Sequence, residues 1–251
     1  GDFKTDNVLA LIQDAFGPIP RGPEARPVRS VEPPQEGERR VTVRRPGPTS
    51  YFEAAYHTPA AADPDIFPLI ILDGILSGAK PMGLAGRNGF GRSARLYRAL
   101  VDTELCTGAT SSFVLTKDPY LFSISATLRP GVELQRVEDV VDRELQRLQD
   151  GDFSDEEIAK AIRQVQAQFV YASEGVTNQA YWLGFLEIVA SHTLLDQFLD
   201  RLQQVTKEDV QRIAQQYLRR DNRTVGWFVP TEVTGPAGPA GPAGPEGPAG
   251  P

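Results

Sequence analysis

The stretch Tyr120-Leu121-Phe122-Ser123-Ile124-Ser125-Ala126-Thr127-Leu128 decides the fold class. Apolar side chains occupy every second position from Phe122 to Leu128, and mostly small polar side chains lie between them. Because neighbouring residues of a strand point to opposite faces, this alternation predicts a strand with one buried and one solvated face. A second run, Thr110–Leu115, precedes it across the turn-forming residues Lys117-Asp118-Pro119. The two runs together predict a β-hairpin.

Helical and strand-like patterns alternate on both sides of this hairpin. Before the hairpin, we predict helices over Asn7–Phe16, Asp63–Leu76 and Ser93–Leu105, and strands over Arg39–Arg45 and Tyr51–Thr58. After it, we predict helices over Leu134–Leu148, Ser154–Ala172, Asn178–Ser191, Leu194–Val205 and Lys207–Leu218, and a last strand over Asn222–Val229. Ser154 with Glu157, and Thr206 with Asp209, have the spacing of helix N-caps. The order predicts an α+β domain with helices packed on one face of an antiparallel sheet.

Composition excludes several classes of protein. Apolar residues make up 40% of the 251 residues and charged residues 24%, the balance of a globular domain. The formal net charge of -7 argues against nucleic acid as a partner, since phosphate binding needs a basic surface. No apolar run approaches the ~20 residues of a membrane span. The single cysteine, Cys106, excludes an internal disulfide but does not separate cytoplasm from periplasm.

The C-terminal residues 235–251 repeat glycine, proline and alanine, with glycine at every third position. This is the collagen signature, but the repeat is too short for a stable triple helix unaided. We predict a disordered tail or an added linker; a trimerisation tail that makes the domain a scaffold is the alternative. The predicted division is a folded domain over residues 1–230 and a collagen-like tail over 231–251.

Several short stretches carry a family resemblance. They are Gly1-Asp2-Phe3, Phe16-Gly17-Pro18-Ile19-Pro20, Tyr56-His57-Thr58-Pro59, Ser93-Ala94-Arg95-Leu96-Tyr97-Arg98-Ala99-Leu100-Val101 and Asp221-Asn222-Arg223-Thr224-Val225. In this order and spacing, they resemble the C-terminal, non-catalytic half of bacterial insulinase and pitrilysin zinc peptidases, the inverzincins. The resemblance covers residues 1–230.

The resemblance implies a clam-shell peptidase whose two similar α+β halves face each other across a chamber. The other half, from the same parent chain or a separate subunit, carries the motif H-x-x-E-H. The resemblance therefore implies zinc in the partner half, no cofactor in this chain and a peptide substrate. Gly1-Asp2-Phe3 would mark the seam between the halves. We interpret the chain, which has no initiator methionine and no signal sequence, as a fragment or processed product from the bacterial cytoplasm or periplasm.

The residues themselves argue against catalysis by this chain. Zinc hydrolysis needs about three protein ligands, and the inverted motif places two histidines four apart on one helix. The chain has only His57 and His192, and Pro59 follows His57 where a ligand helix would have to continue. Cys106 follows an apolar helix and is interpreted as a core residue. There is neither a G-x-S-x-G elbow nor a P-loop. We predict no catalytic residue and no metal site.

Other polar residues have ordinary structural interpretations. Asp196, four residues after His192, would give at most a two-ligand face. The acids 155–157 open a helix, where they suit its dipole. Glu138, Asp139 and Asp142 have the spacing of a solvated helix face.

The segment Ser77–Arg95 is the most informative for function. Its glycines are Gly78, Gly83, Gly86, Gly89 and Gly91, and its cations are Lys80, Arg87, Arg92 and Arg95. Glycines let a backbone approach another chain closely. The segment resembles the glycine-rich loop of the non-catalytic α subunit of mitochondrial processing peptidase, which engages substrate. We predict substrate binding by Gly83, Gly86, Arg87, Gly89, Gly91 and Arg92; a surface insertion with solvated arginines is the alternative.

Three further features bear on the predicted role. Many substrate-binding halves of the family carry an arginine and a tyrosine that reach the active site, and those positions fall on Val101 and Gly108 here. Peptide positioning, rather than transition-state stabilisation, is therefore the expected role. The hairpin Thr110–Leu128 is a candidate edge for strand addition. Tyr181, Trp182 and Phe185 are expected in the core, with chamber lining as the alternative. A protein that keeps the peptidase fold without proteolysis is the competing function.

Overall fold

The computed structural model describes residues 2–23, 32–80 and 91–231. The helices within these ranges are α1 (Thr5–Phe16), α2 (Ile66–Ser77), α3 (Leu134–Gln149), α4 (Asp155–Ser173), α5 (Val176–Val189), α6 (Thr193–Gln203) and α7 (Lys207–Tyr217). The strands are β1 (Arg39–Pro46), β2 (Tyr51–Thr58), β3 (Cys106–Phe113), β4 (Tyr120–Leu128) and β5 (Arg223–Thr231). A π-helical turn covers Tyr97–Val101, and a 3-10 turn covers Arg220–Asn222. Among the helices of these ranges, none has the length and apolar character needed to cross a bilayer.

In the described part of the chain, five strands form one sheet in the order β1-β5-β2-β4-β3. The predicted α+β architecture, including the hairpin β3–β4, is confirmed, with one correction. β1 and β5 pair in parallel, whereas every other neighbouring pair is antiparallel. The reason is that β5 arrives from α7 and inserts between β1 and β2, which run in opposite directions. A strand between two such neighbours must be parallel to one of them.

One face of the sheet is covered by helices, as the alternation in β4 predicts. Phe52, Tyr56, Phe122 and Ile124 point to this face and are at most 1% exposed. Helices α2, α3 and α7 contact the sheet directly, α4 packs on α2, and α5 and α6 pack on α4. The other face is accessible to solvent in the described part of the chain: Tyr51 and Glu53 are exposed there, and Ser125 donates a hydrogen bond to Glu53 on the neighbouring strand. The core therefore lies wholly on the helical side.

The segment before β3 differs from its prediction. Instead of the predicted helix over Ser93–Leu105, a π-helical turn covers Tyr97–Val101 and is closed by a hydrogen bond from Asp102 N to Tyr97 O (3.0 Å). After it, Leu105 N donates to Leu100 O (3.0 Å). Glu104 takes a positive φ of 60°, which turns the chain into β3. β3 consequently starts at Cys106, ahead of the predicted start at Thr110.

Both predicted helix caps are present, but one of them forms only one of the two reciprocal hydrogen bonds. Thr206 and Asp209 form both reciprocal hydrogen bonds of a capping box at the start of α7. Ser154 accepts a hydrogen bond from the backbone N–H of Glu157, but the Glu157 carboxylate binds Arg95 instead of closing the box. That carboxylate therefore ties α4 to the segment before β3.

A buried ion-pair network corrects the prediction of a solvated acidic face on α3 for Glu138 and Asp142, whereas Asp139 is exposed as predicted. Glu138 is 1% exposed and binds both Arg223 and Arg40. Asp142 also binds Arg223 (2.5 Å), whose side chain is itself 1% exposed. Tyr56 approaches the same guanidinium at 3.4 Å, and burial raises the pKa of this phenol to about 12. The network joins α3 to β5 through Arg223 and to β1 through Arg40, and Tyr56 of β2 lies beside it.

Candidate substrate-binding site

The glycine-rich segment starts and ends at one point of the fold. Gly78 caps α2 with a φ of +83°, a conformation that L side chains rarely adopt. A Cβ on Gly78 would lie 2.8 Å from Gly91 Cα, and a Cβ on Gly91 would lie 2.9 Å from Ser77 O. The two stems of the segment are therefore in backbone contact, and both contact positions require glycine.

Two of the predicted loop cations are bound at these stems. Lys80 Nζ lies 2.5 Å from the carboxylate of Asp73 on α2. Arg95 donates to both oxygens of Glu157 (2.6 and 2.9 Å) and to Asp152 O (2.7 Å). These ion pairs hold the stems on α2 and α4. Lys80 and Arg95, counted from sequence among the cations of the segment, are therefore paired with carboxylates of the domain.

Of the predicted binding residues, Gly91 and Arg92 fall within the described part of the chain. Gly91 makes the stem contact, and Arg92 beside it is exposed. Gly83, Gly86, Arg87 and Gly89 lie outside the described residues. Their role in substrate binding stays a prediction.

A groove of about 630 Å³ lies beside the Lys80 stem. Its walls come from α2, the β3 edge, α4 and α5, through side chains that include Asp73, Lys80, Phe113, Val165, Tyr181, Trp182 and Phe185. Trp182 is 5% exposed, as a core residue should be, but Tyr181 and Phe185 are only half-buried and stack on each other with ring centroids 5.8 Å apart. Sequence reasoning missed the groove because its walls are distant in sequence. The aromatic spacing 181–185 was the available signal.

The geometry of the possible ligands does not fit a zinc ion. His57 lies on β2, and its cross-strand partner on β4 is Leu121. His192 is bound through Nδ1 to Glu187 at 2.7 Å, and Asp196 does not take part in that pair. Over residues 2–23, 32–80 and 91–231, no three histidine, cysteine, aspartate or glutamate side chains group as metal ligands.

The surroundings of Cys106 disfavour the thiolate that a nucleophilic cysteine needs. Its side chain is fully buried in the core, and burial raises the pKa of the thiol to about 11. A reactive cysteine needs the thiolate at neutral pH, which favours partly exposed, electropositive surroundings. The interpretation of Cys106 as a core residue is confirmed.

Comparison with known proteins identifies the family. The family model described as the peptidase M16 inactive domain matches residues 1–165. The chain belongs to this family. A search among curated protein sequences returns no match. Membership of the M16 inactive-domain family confirms the sequence-based resemblance to a non-catalytic peptidase half.

Solved structures agree with M16 membership. A protein from Bordetella pertussis Tohama I, provisionally assigned as a zinc protease, is 30% identical to this chain. The match covers 73% of this chain and 94% of that chain, with a TM-score of 0.63. The inactive peptidase domain of a similarly assigned zinc protease from Bordetella parapertussis is 29% identical over 76% of this chain and 98% of that chain, with a TM-score of 0.64. A protease from Helicobacter pylori shares the fold, at 21% identity over 92% of this chain, with a TM-score of 0.81. The chain spans 54% of that Helicobacter protein, about half its length.

Proposed function

We propose that this M16 inactive domain is the substrate-positioning half of a zinc metalloendopeptidase. An H-x-x-E-H half, in the same parent chain or a separate subunit, supplies the zinc ion and the hydrolytic chemistry. This chain binds the peptide and presents it. Membership of the M16 inactive-domain family carries the proposal. The full sequence supports it, since its two histidines, His57 and His192, are far apart, whereas the inverted zinc motif needs two histidines four residues apart on one helix.

Two surfaces of the domain are available to a partner half. The open face of the sheet has a shallow depression of about 570 Å³, where Tyr51 and Phe228 stack edge to face with ring centroids 5.7 Å apart. Helix α1 buries none of its side chains, and Leu11 and Phe16 are 68% and 65% exposed. Exposed apolar surface of this kind is characteristic of protein interfaces.

The glycine-rich segment is the proposed contact with substrate. Its two described stems are held by the Gly78–Gly91 contact and by ion pairs to α2 and α4, so both ends of the segment are fixed on the domain. Arg87 and Arg92 are the proposed donors to peptide carboxylates and carbonyls. Such contacts orient the chain for cleavage by the other half, a contribution that needs no catalytic group here.

A two-part experiment tests the proposal. The purified chain, with zinc added, is incubated with fluorescein-labelled β-casein, an unfolded polypeptide. We expect binding, measured by fluorescence anisotropy, and no cleavage on gels. Chelator-sensitive cleavage by the chain alone would overturn the non-catalytic assignment. Absence of casein binding would favour a structural protein that keeps the fold without handling peptides.

Charge-matched variants test the loop. The pair Arg87→Ala and Arg92→Ala removes the two proposed donors, and we expect casein binding to weaken by roughly tenfold, because two charged hydrogen bonds are lost. The control pair Arg98→Ala and Arg129→Ala removes the same charge from two exposed residues outside the segment. Equal weakening by both pairs would show non-specific charge attraction and overturn the role of the loop.

A further inference from the structure

The groove beside β3 contains an unpaired sheet edge. β3 is the last strand in the order β1-β5-β2-β4-β3, so within the described ranges one side of its backbone faces no strand. Natural edge strands are usually protected by charged residues or proline. β3, with the sequence Cys-Thr-Gly-Ala-Thr-Ser-Ser-Phe, has neither. Ser77 Oγ on α2 approaches Ser111 O (3.5 Å), and an extended chain would pair with the backbone groups of this side that α2 leaves uncovered.

An aromatic wall runs opposite this edge. Trp182 packs perpendicular to Phe185, with centroids 5.8 Å apart and an interplanar angle of 82°, and Phe185 stacks on Tyr181. The half-buried rings of Tyr181 and Phe185 face the groove, together with the partly buried Ile70. An apolar side chain placed between β3 and α5 would be covered on both sides. The groove volume of about 630 Å³ falls in the range of ligand pockets, ~300–1,000 Å³.

A buried hydrogen-bond donor in the same wall lacks a partner. The indole Nε1 of Trp182 is buried and, in the described part of the chain, has no hydrogen-bond acceptor. The whole side chain is 5% exposed and belongs to the groove lining. Buried indole N–H groups usually find an acceptor, because an unsatisfied buried donor costs about 1–3 kcal/mol. The wall of the groove therefore contains a donor at Trp182 that is unsatisfied within the described residues.

We propose that the groove between β3 and α5 binds an extended peptide that adds a strand to the β3 edge and places an aromatic side chain against Tyr181 and Phe185. The peptide backbone pairs with β3, which gives affinity with little dependence on sequence, and the aromatic wall selects one bulky apolar residue. The inference rests on the proposed function and specifies it: the substrate is taken in extended form, with an aromatic residue beside the loop stem at Lys80.

The test uses the full chain in a Trp227→Phe background, in which Trp182 is the remaining tryptophan and its emission reports the groove. The probe is a peptide of about six residues, a typical strand length, in which phenylalanine alternates with threonine and two lysines ensure solubility. We expect probe binding to change Trp182 emission. A probe with the same side chains but N-methylated backbone amides cannot pair with β3. Equal binding of both probes would overturn strand addition.

Variants separate the groove from the loop. Phe185→Ala and Tyr181→Ala each weaken probe binding by roughly tenfold, the scale of truncating an interface aromatic. Ile188→Ala is the control, since Ile188 lies on the same helix, is 71% exposed and does not line the groove. Wild-type affinity in both groove variants would overturn the inference, and the N-methylated probe decides the question if a variant fails to fold.

If casein binding needs Arg87 and Arg92 but not Phe185, the proposed function stands and the groove assignment falls. If casein fails to bind and the probe still binds, the groove stands and the proposed function falls.

Discussion

Arg223 on β5 and Glu138 on α3 lie 3.1 Å apart, from Nη2 to Oε1, and the side chain of each is 1% exposed. Glu38 and Asp142 each add a contact of 2.5 Å to the same guanidinium. A charge so far from solvent is tolerated only when its partners are close and complete. The pair therefore fixes how α3 sits against β5.

Removal of one partner should destabilise the domain strongly. Arg223→Met leaves Glu138 buried with Arg40 as its remaining cation, and we expect a loss of about 3–5 kcal/mol in the free energy of unfolding. Urea unfolding followed by circular dichroism measures it. Arg220→Met is the matched control, because Arg220 binds Asp142 from a side chain that is 75% exposed, and should cost about 1 kcal/mol or less. Similar losses in the two variants would contradict a buried network.

Asp65 should make the stability depend on pH in acid. The Arg212 guanidinium (2.7 Å) lowers the pKa of this carboxyl, burial opposes that shift, and the Tyr217 hydroxyl (2.9 Å) adds to the lowering. Because the folded-state pKa lies below the unfolded value of about 3.9, the stabilisation is complete above that value. It is lost as the pH falls through the folded-state pKa.

The variant Asp65→Asn isolates this contribution. It should be less stable than the wild type at about pH 7. The difference should start to shrink below about pH 4, where the carboxyl of the unfolded chain takes up a proton, and should vanish only below the lowered folded-state pKa. Urea midpoints at several pH values measure the difference. A gap that stays constant into acid would mean that Asp65 acts through packing rather than charge.

The parts of the fold that follow local periodicity were predictable from sequence. Tyr51–Thr58 and Tyr120–Leu128 have the predicted strand bounds, since each alternation is set by its own burial pattern. The insertion of β5 between β1 and β2 was not predictable, because local alternation does not specify a strand's partners. The same holds for Glu138, which lies beside the apolar stripe of α3. Its burial depends on the ion pair with Arg223, a residue distant in sequence.

The candidate site divides in the same way. Sequence composition identified the glycine-rich segment, but Lys80 and Arg95 are bound by Asp73 and Glu157, partners that composition alone does not assign. The groove was missed as a unit, although its edge strand and its aromatic cluster were each noticed. Sites assembled from separate elements become visible only when the fold brings those elements together.

Helix α1 should contribute almost nothing to the stability of the isolated chain. None of its side chains is buried, and residues 17–20 after it are exposed, so deletion of residues 2–20 removes no buried side chain. We expect an unchanged urea midpoint and weaker self-association, because exposed apolar side chains such as Leu11 and Phe16 are lost. Unfolding and sedimentation measurements on both forms test this. A clear fall in the urea midpoint would show that α1 packs on the domain.

Two glycine-to-alanine substitutions should act in opposite directions. Gly78→Ala places a Cβ 2.8 Å from Gly91 Cα in a backbone with φ of +83°, so the stems of the glycine-rich segment must separate. We expect a destabilisation of about 1–3 kcal/mol and weaker casein binding.

Gly184→Ala adds the same methyl group to the exposed surface of α5, where no atom lies within 4 Å. It should stabilise the domain by about 0.5–1 kcal/mol, because alanine loses less backbone entropy in a helix. Since the chemical change is the same, urea unfolding of the two variants measures the stem contact directly, and equal effects would rule out a close approach of Gly78 and Gly91.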